Sequence, residues 1–184
     1  MKKLLIVAVA CLMLNACTAT PEQSFKVKDF TDEPQIDLAA GDINIQSVVI
    51  RNDRAPHMEY KMPMRPEEAI YTWANNRYTA LSMSSPTTAK IVIRDASMTE
   101  EMQPADNWYT YDNVKYRLTY DVAVQFERNG VVVHAQEVAG WEEASIPQKS
   151  TINEKEKTWE NMLNNMVTKV DAKVNADMPS DFIL

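Results

Sequence analysis

A period-two alternation of apolar and polar side chains from Tyr116 to Phe126 constrains the fold of this chain more than any other feature. The even positions are aromatic or aliphatic and the odd positions are mostly polar. This is the pattern of a β-strand with one face on the core and one in water. Asn129 and Gly130 follow, and this pair favours a type I′ turn because both central residues take positive φ. The sequence therefore predicts a β-hairpin.

The register of that hairpin has one conflict. A two-residue turn pairs apolar residues along most of the inward face: Phe126 with Val133, Val124 with Ala135, and Tyr120 with Ala139. The exception is Val122, which would face Glu137. Either Glu137 lies near the sheet edge or a β-bulge shifts the register, and Gly140 is a place where the strand could bend. The same parity places His134 on the outward, solvated face.

Two further strands and two helices complete the predicted domain. Alternating apolar residues predict strands at 42–51 and 89–96. Pro66, followed by two glutamates, predicts a helix to Leu81. Thr151 and Glu154 form a capping box before a second helix that ends near Asp177 and has Glu160 on its solvated side. We predict an α+β fold with a four-stranded, mostly antiparallel sheet and two helices packed on one face.

The first residues carry a secretory signal. Lys2 and Lys3 precede a short apolar run, which is below the length of about 20 residues that a membrane-spanning helix needs. Leu14-Asn15-Ala16 then leads directly into Cys17, the arrangement of a lipobox. We expect residues 1–16 to be removed and Cys17 to carry acyl chains.

Charge and cysteine content exclude several functions. Cys11 lies in the removed segment and Cys17 is the lipidation site, so disulfides, thiol nucleophiles and cysteine-ligated metals are not expected in the domain. The net charge of −7 becomes −9 when Lys2 and Lys3 are removed. An acidic chain repels phosphates, so nucleic acid is not an expected partner.

A polar segment separates the lipidation site from the predicted domain. Residues 17–41 contain Pro21 and Pro34 and only scattered apolar residues, so we predict an acylated N-terminus and tether. The alternative for residues 25–30 is an additional edge strand. Residues 42–184 are predicted to form a single α+β domain.

Catalytic and metal sites have no clear basis in the sequence. His57 and His134 lack the spacing of a metal motif. Acid pairs such as Glu67 and Glu68 are adjacent, so their side chains diverge, and there is no Gly-x-Ser-x-Gly elbow. We expect no enzymatic activity, no metal and no cofactor.

Two stretches are candidate partner-binding surfaces. The first is the aromatic segment 104–113 with Trp108, Tyr109 and Tyr111, although the two tyrosines could instead begin the next strand. The second is the Met- and Pro-rich loop with Met58, Tyr60 and Met62, whose methionines could instead plug one end of the core.

The lipobox ending at Cys17, the Pro66-headed helix, the hairpin and the long last helix together resemble small Gram-negative envelope lipoproteins. The layout is similar to the auxiliary lipoproteins of ABC- and MCE-type lipid transporters and to the lipopolysaccharide-assembly lipoprotein. The resemblance implies a non-catalytic adaptor of an envelope transport or assembly complex, facing the periplasm. Thr18 after the cysteine resembles the pattern that is sorted to the outer membrane. The alternative function is a small-ligand carrier or enzyme that uses a cleft beside residues 104–113.

Overall fold

The computed structural model describes residues 24–105, 107 and 112–184. Eight regular elements occur in these ranges: β1 (Ile36–Leu38), β2 (Asp42–Ser47), α1 (Pro66–Arg77), β3 (Tyr78–Ala80), β4 (Thr87–Gln103), β5 (Asn113–Arg128), β6 (Val131–Pro147) and α2 (Ile152–Asp177). Two short 3₁₀ turns, Glu59–Lys61 and Ser180–Phe182, accompany them. No helix in the described part of the chain is long and apolar enough to cross a membrane.

The main sheet has the strand order β2-β4-β5-β6. Strand β2 runs parallel to β4, whereas β4, β5 and β6 are successive antiparallel neighbours. Both helices share one hydrophobic core with the sheet, and Trp73 Nε1 in α1 donates to Asp171 Oδ1 in α2 at 2.9 Å. The predicted α+β fold is confirmed, with a mixed sheet and a second, two-stranded sheet formed by β1 and β3.

The predicted hairpin and its register conflict are both explained by the β5–β6 pairing. Asn129 and Gly130 have φ values of 53° and 79°, as the turn requires. Directly after the turn the register shifts, so that Phe126 lies opposite His134 instead of Val133. This bulge moves every later β6 residue by one position, and an apolar residue of β6, in place of Glu137, then lies opposite Val122.

The bulge also corrects the expectation for His134. Its ring lies 6.2 Å from the Phe126 ring and 5.8 Å from the Phe182 ring, measured between centroids. A one-residue shift exchanges the two faces of a strand, so the side chain turns inward from the predicted solvated face.

Gly140 has a packing role. Strand β6 continues through it, and a Cβ atom added at Gly140 would lie 2.5 Å from Oη and 2.7 Å from Cζ of Tyr120. The phenol ring of Tyr120 occupies the space above the glycine, and the residue is only 6% exposed. The irregularity in the β5–β6 pairing lies next to the turn and not at Gly140.

Helix α1 ends earlier than predicted. It stops at Arg77, and Tyr78–Ala80 extends as β3 in parallel pairing with Ile36–Leu38. Tyr78 and the threonine after it favour extended structure, and β1 offers backbone partners that the local helix pattern could not reveal. Leu81, the predicted last residue of the helix, consequently lies outside it and is 54% exposed.

The chain is packed against the domain before the predicted boundary at residue 41. Val27, Phe30 and Leu38 are buried, and the backbone N–H of Lys26 donates to Glu160 Oε2 at 3.3 Å. Glu160 is therefore buried beneath this segment and does not lie on the solvated side of α2. Residues 25–30 contain no strand and lie along α2 as irregular chain. Residues 17–23 lie outside the described ranges.

Helix α2 confirms the capping box and carries a buried apolar stripe. Glu154 N donates to Thr151 Oγ1 at 3.3 Å, and Glu154 Oε2 accepts from Thr151 N at 2.7 Å. Trp159 at its N-terminal half packs edge-to-face on Tyr116, with ring centroids 5.7 Å apart. The helix buries this stripe against the inward face of the sheet: Trp159, Met162, Leu163, Met166, Val167, Val170 and Val174.

Candidate functional site

Several predicted functional residues cannot be placed in the fold. Cys17 and the aromatic residues Trp108, Tyr109 and Tyr111 lie outside the described residues. Their predicted roles, lipidation for the first and partner contact for the others, therefore stay predictions.

The Met- and Pro-rich loop buries two of its three candidate contact residues. Met58 is fully buried and Met62 is 8% exposed, so both plug one end of the core. The 3₁₀ turn at Glu59–Lys61 holds them there, and Met58 N donates to Met98 O at 2.9 Å. Only Tyr60 of this group is exposed, at 44%.

The two histidines are far apart in the fold as well as in sequence. His57 Nδ1 lies 3.2 Å from Glu59 Oε1, which also accepts from Met98 N at 2.7 Å. His134 packs against Phe126 and Phe182 at the other end of the sheet. Within the described ranges, no group of three or more histidine, cysteine or acidic residues is arranged to hold a metal ion.

A surface cavity of about 440 Å³ lies where the N-terminal segment meets α2. It is open to solvent and has the mixed-charge lining Lys26, Lys28, Asp29, Phe30, Asp32, Glu33 and Asn164. Hydrogen bonds from Thr31 lower the pKa of the Asp29 carboxyl, so this group is a carboxylate at neutral pH. Open mixed-charge grooves differ from the enclosed, mostly apolar pockets that bind small molecules.

Exposed apolar side chains gather at the hairpin end of the sheet. They belong to the loop after β3, the start of β6 and the last residues of the chain: Leu81, Met83, Val131, Val132, Val133, Ile183 and Leu184. We call this set the hairpin-end cluster. Met83 is 94% exposed and Leu184 is 68% exposed. Concentrated exposed apolar residues are typical of protein–protein or membrane contact surfaces.

Backbone contacts bring the three parts of the hairpin-end cluster to the same end. Asn129 N donates to Pro86 O at 3.2 Å, which joins the hairpin turn to the loop that carries Met83. Leu81 N donates to Leu38 O at 3.2 Å, and Leu38 in turn forms a β-bridge with Ile183. The sequence shows each apolar residue, but only these long-range contacts place them together.

The N-terminal segment enters the domain far from the hairpin-end cluster. Lys26 lies against Glu160 of α2, and the neighbouring Trp159 packs on Tyr116. From Tyr116 to Asn129, β5 rises by about 3.3 Å per residue, or about 40 Å in all. The cluster and the entry point of the chain are therefore near opposite ends of the sheet.

The sheet face away from the helices is polar. Ion pairs join neighbouring strands across it, including Lys90 Nζ to Glu127 Oε1 at 2.7 Å and Lys115 Nζ to Glu143 Oε1 at 2.9 Å. Trp141 is 56% exposed on this face, with the Arg117 guanidinium carbon 5.2 Å from its ring centroid. These contacts describe a solvated face on which the Trp141 side chain is exposed.

Comparisons with known proteins give distant likenesses of structure. The sequence matches no protein-family model and no curated protein. The fold is similar to a minor lipoprotein from Acinetobacter baumannii, with 11% identity, coverage of 78% of this chain and 95% of that chain, and a TM-score of 0.44. It is also similar to a neuraminyllactose-binding hemagglutinin homolog from Helicobacter pylori (7% identity, 85% and 94% coverage, TM-score 0.47) and to rare lipoprotein B from Shewanella oneidensis (9% identity, 74% and 99% coverage, TM-score 0.37).

Proposed function

We propose that this protein is an outer-membrane lipoprotein whose periplasmic domain is a non-catalytic adaptor of an envelope transport or assembly complex. The lipobox at Cys17 supports the anchor, and the hairpin-end cluster is the single observation that carries the adaptor role. Lipid transport is the class of complex that the resemblance of the sequence implies. In this proposal, the cluster contacts an apolar surface of a protein in that complex.

The positions of anchor and cluster are compatible with this arrangement. Seven residue steps separate Cys17 from Ser24, so the start of the described chain lies within about 25 Å of the lipidated residue. The hairpin-end cluster is a further 40 Å or so along the sheet. A domain held at its entry point can therefore present the cluster away from the membrane that holds the acyl chains.

Crosslinking in intact envelopes tests the adaptor role. We expect the wild-type chain to form crosslinked species with an envelope protein, and Met83→Asp with Leu184→Asp to reduce their yield at least fivefold. Both side chains are mostly exposed, so the changes should leave the fold intact. Ile152→Asp is the matched control, because Ile152 is 59% exposed at the start of α2, near the other end of the domain.

The outcomes separate the candidate surfaces. If the wild type and the variant with Met83→Asp and Leu184→Asp give equal yields of crosslinked species, the hairpin-end cluster is not the contact surface. Loss of crosslinking only in a variant with alanine at Trp108, Tyr109 and Tyr111 would assign the contact to the aromatic segment.

Fractionation tests the anchor. Several acyl chains on one residue give stable membrane attachment, because their burial in the bilayer is favourable. A protein without acyl chains lacks this free energy of membrane binding. Cys17→Ser should therefore release the protein from membranes and leave its far-UV circular dichroism unchanged. A Cys17→Ser protein that still fractionates with outer membranes would contradict lipidation as the means of attachment.

A further inference from the structure

Strand β6 is a long edge strand, and no strand among the described residues pairs with its outer side. It has 17 residues and is the last strand in the order of the sheet. Gln148 N donates to Asp112 O at 2.9 Å, which sets the alternation of backbone groups along the pair. Even-numbered residues of β6 after the bulge direct their N–H and C=O groups to β5, and odd-numbered residues from Ala135 to Ser145 direct theirs outward.

The usual protections of an edge strand are weak here. Edge strands commonly carry lysine or proline, or are short or covered. Strand β6 has no lysine or arginine and no proline before Pro147. Its three glutamates are each paired with a cation from a neighbouring element: Glu137 with Arg94, Glu142 with Lys169, and Glu143 with Lys115. These pairs reduce the charge repulsion that the carboxylates would present to an approaching strand.

We propose that β6 pairs antiparallel with β6 of a second copy of this chain, with Ala139 on the two-fold axis. Ala139 is the middle residue of Val131–Pro147, so in this register the two strands lie side by side over their full length, with the hydrogen-bonded part after the bulge. When the two-fold axis passes through a residue, odd-numbered residues of one copy lie opposite odd-numbered residues of the other. The outward-directed N–H and C=O groups of the two copies therefore face each other. About ten hydrogen bonds form across the pairs of odd-numbered residues from Ala135 to Glu143.

The side chains in this register are complementary. Glu137 lies opposite Trp141 of the second copy, and Ala135 lies opposite Glu143, so no two like charges face each other. Centring the pair on Gly140 instead would place Glu137 opposite Glu143 and shorten the pairing. The small side chains of Ala135 and Ala139 leave room beside the exposed Trp141 ring.

The size of the interface is adequate for a specific pair. A strand of 17 residues is about 55 Å long, and a sheet with its side chains is about 10 Å thick. Edge pairing thus buries on the order of 1,000 Å² in total, near the lower limit for specific protein interfaces. The product is a continuous eight-stranded sheet, with the helices of both copies on one side.

Cysteine substitution tests the register directly. In the proposed dimer the two Ala139 Cα atoms are about 5.5 Å apart, within the range for a disulfide. The two Ala135 Cα atoms are about 27 Å apart, beyond that range. Both alanines are exposed and lie on the same face of β6, so Ala135→Cys is a matched control for Ala139→Cys.

The experiment uses the full chain in its membranes, with mild oxidation and non-reducing electrophoresis. We expect at least tenfold more disulfide-linked dimer from Ala139→Cys than from Ala135→Cys or from the wild type. The wild-type sample measures any disulfide formed through Cys17. No dimer from Ala139→Cys, or equal dimer from Ala135→Cys, would overturn the proposed pairing.

A proline variant gives a second measurement. The N–H of Ala139 points outward, so Ala139→Pro removes no hydrogen bond within one chain but blocks pairing at the axis. We expect the purified full chain in detergent to sediment as a dimer and Ala139→Pro to sediment as a monomer with an unchanged circular dichroism spectrum. A wild type that is monomeric at tens of micromolar, or an Ala139→Pro dimer of equal affinity, would overturn the proposal.

Discussion

The contact between Gly140 and Tyr120 leads to a quantitative prediction for Gly140→Ala. The new methyl carbon would lie 2.5 Å from the hydroxyl oxygen and 2.7 Å from Cζ of a ring that is almost completely buried. The phenol must therefore move by about 1 Å within a packed core, where added carbon atoms typically cost about 1–3 kcal/mol.

The expected net effect is smaller than this packing cost. Alanine is favoured over glycine within a strand by about 0.5–1 kcal/mol, because glycine loses more backbone entropy on folding. Gly140 does not have a positive φ, so alanine suits the backbone. We expect Gly140→Ala to lower the free energy of unfolding by about 1–2 kcal/mol, measured by urea denaturation followed by circular dichroism.

A double-mutant cycle tests the cause. Leucine at position 120 has no atoms where Cζ and the hydroxyl of Tyr120 now approach Gly140. In a Tyr120→Leu protein, Gly140→Ala should therefore raise the free energy of unfolding by about 0.5–1 kcal/mol. The sign of the Gly140→Ala effect therefore reverses between the two backgrounds. A Gly140→Ala protein as stable as the wild type, or one equally destabilised in both backgrounds, would refute the proposed clash.

Three further changes affect the contacts of α2. Asp171→Ala removes the oxygen that accepts from both Trp73 Nε1, a buried donor, and Arg77 Nε, and should cost about 2–3 kcal/mol of unfolding free energy by urea denaturation. Thr151→Ala removes the side-chain acceptor at the start of α2 and should cost about 1 kcal/mol. The hydrogen bond from Lys157 holds the pKa of Glu160 below its ordinary value of 4.5, so its ionised form stabilises the fold above that pH. This contribution should be lost as the pH falls below 4.5, and Glu160→Gln should remove that part of the acid sensitivity.

Each of these predictions has a control. Asp171→Asn keeps one oxygen acceptor for Trp73 and should be less destabilising than Asp171→Ala; the reverse order would contradict the hydrogen-bond explanation. Thr151→Ser retains the cap and should match the wild type. If the difference in urea midpoint between the wild type and Glu160→Gln is the same at pH 7 and pH 3, the assignment to Glu160 is incorrect.

The hairpin and the last helix illustrate what local patterns can predict. The alternation to Phe126, the turn at Asn129 and the capping box at Thr151 each act within a few residues, and the structure contains all three. The bulge beside the turn was one of two explanations that the pattern left open. The choice between them depends on how β6 packs beneath α2, which is a contact distant in sequence.

The candidate surfaces show the limits of local patterns more clearly. Met58 and Met62 lie in a proline-rich loop without a periodic pattern of apolar residues. The sequence therefore could not decide whether these methionines form an exposed contact surface or fill one end of the core. The hairpin-end cluster combines residues from three separate parts of the chain. That no described segment pairs with the outer side of β6 becomes evident only once the strand order is known.

The sequence by itself determined the class of fold, the main strands and helices, and the absence of cysteine chemistry from the predicted domain. Those features follow from side-chain periodicity, caps, turns and composition, which are local properties. The tertiary structure decided that α1 ends at Arg77, that residues from Ser24 pack on the domain, and that His134 faces the core. Each of these depends on the free energy of contacts between distant segments, such as β1 with β3 or Lys26 with Glu160, and such contacts leave no periodic signal in the chain.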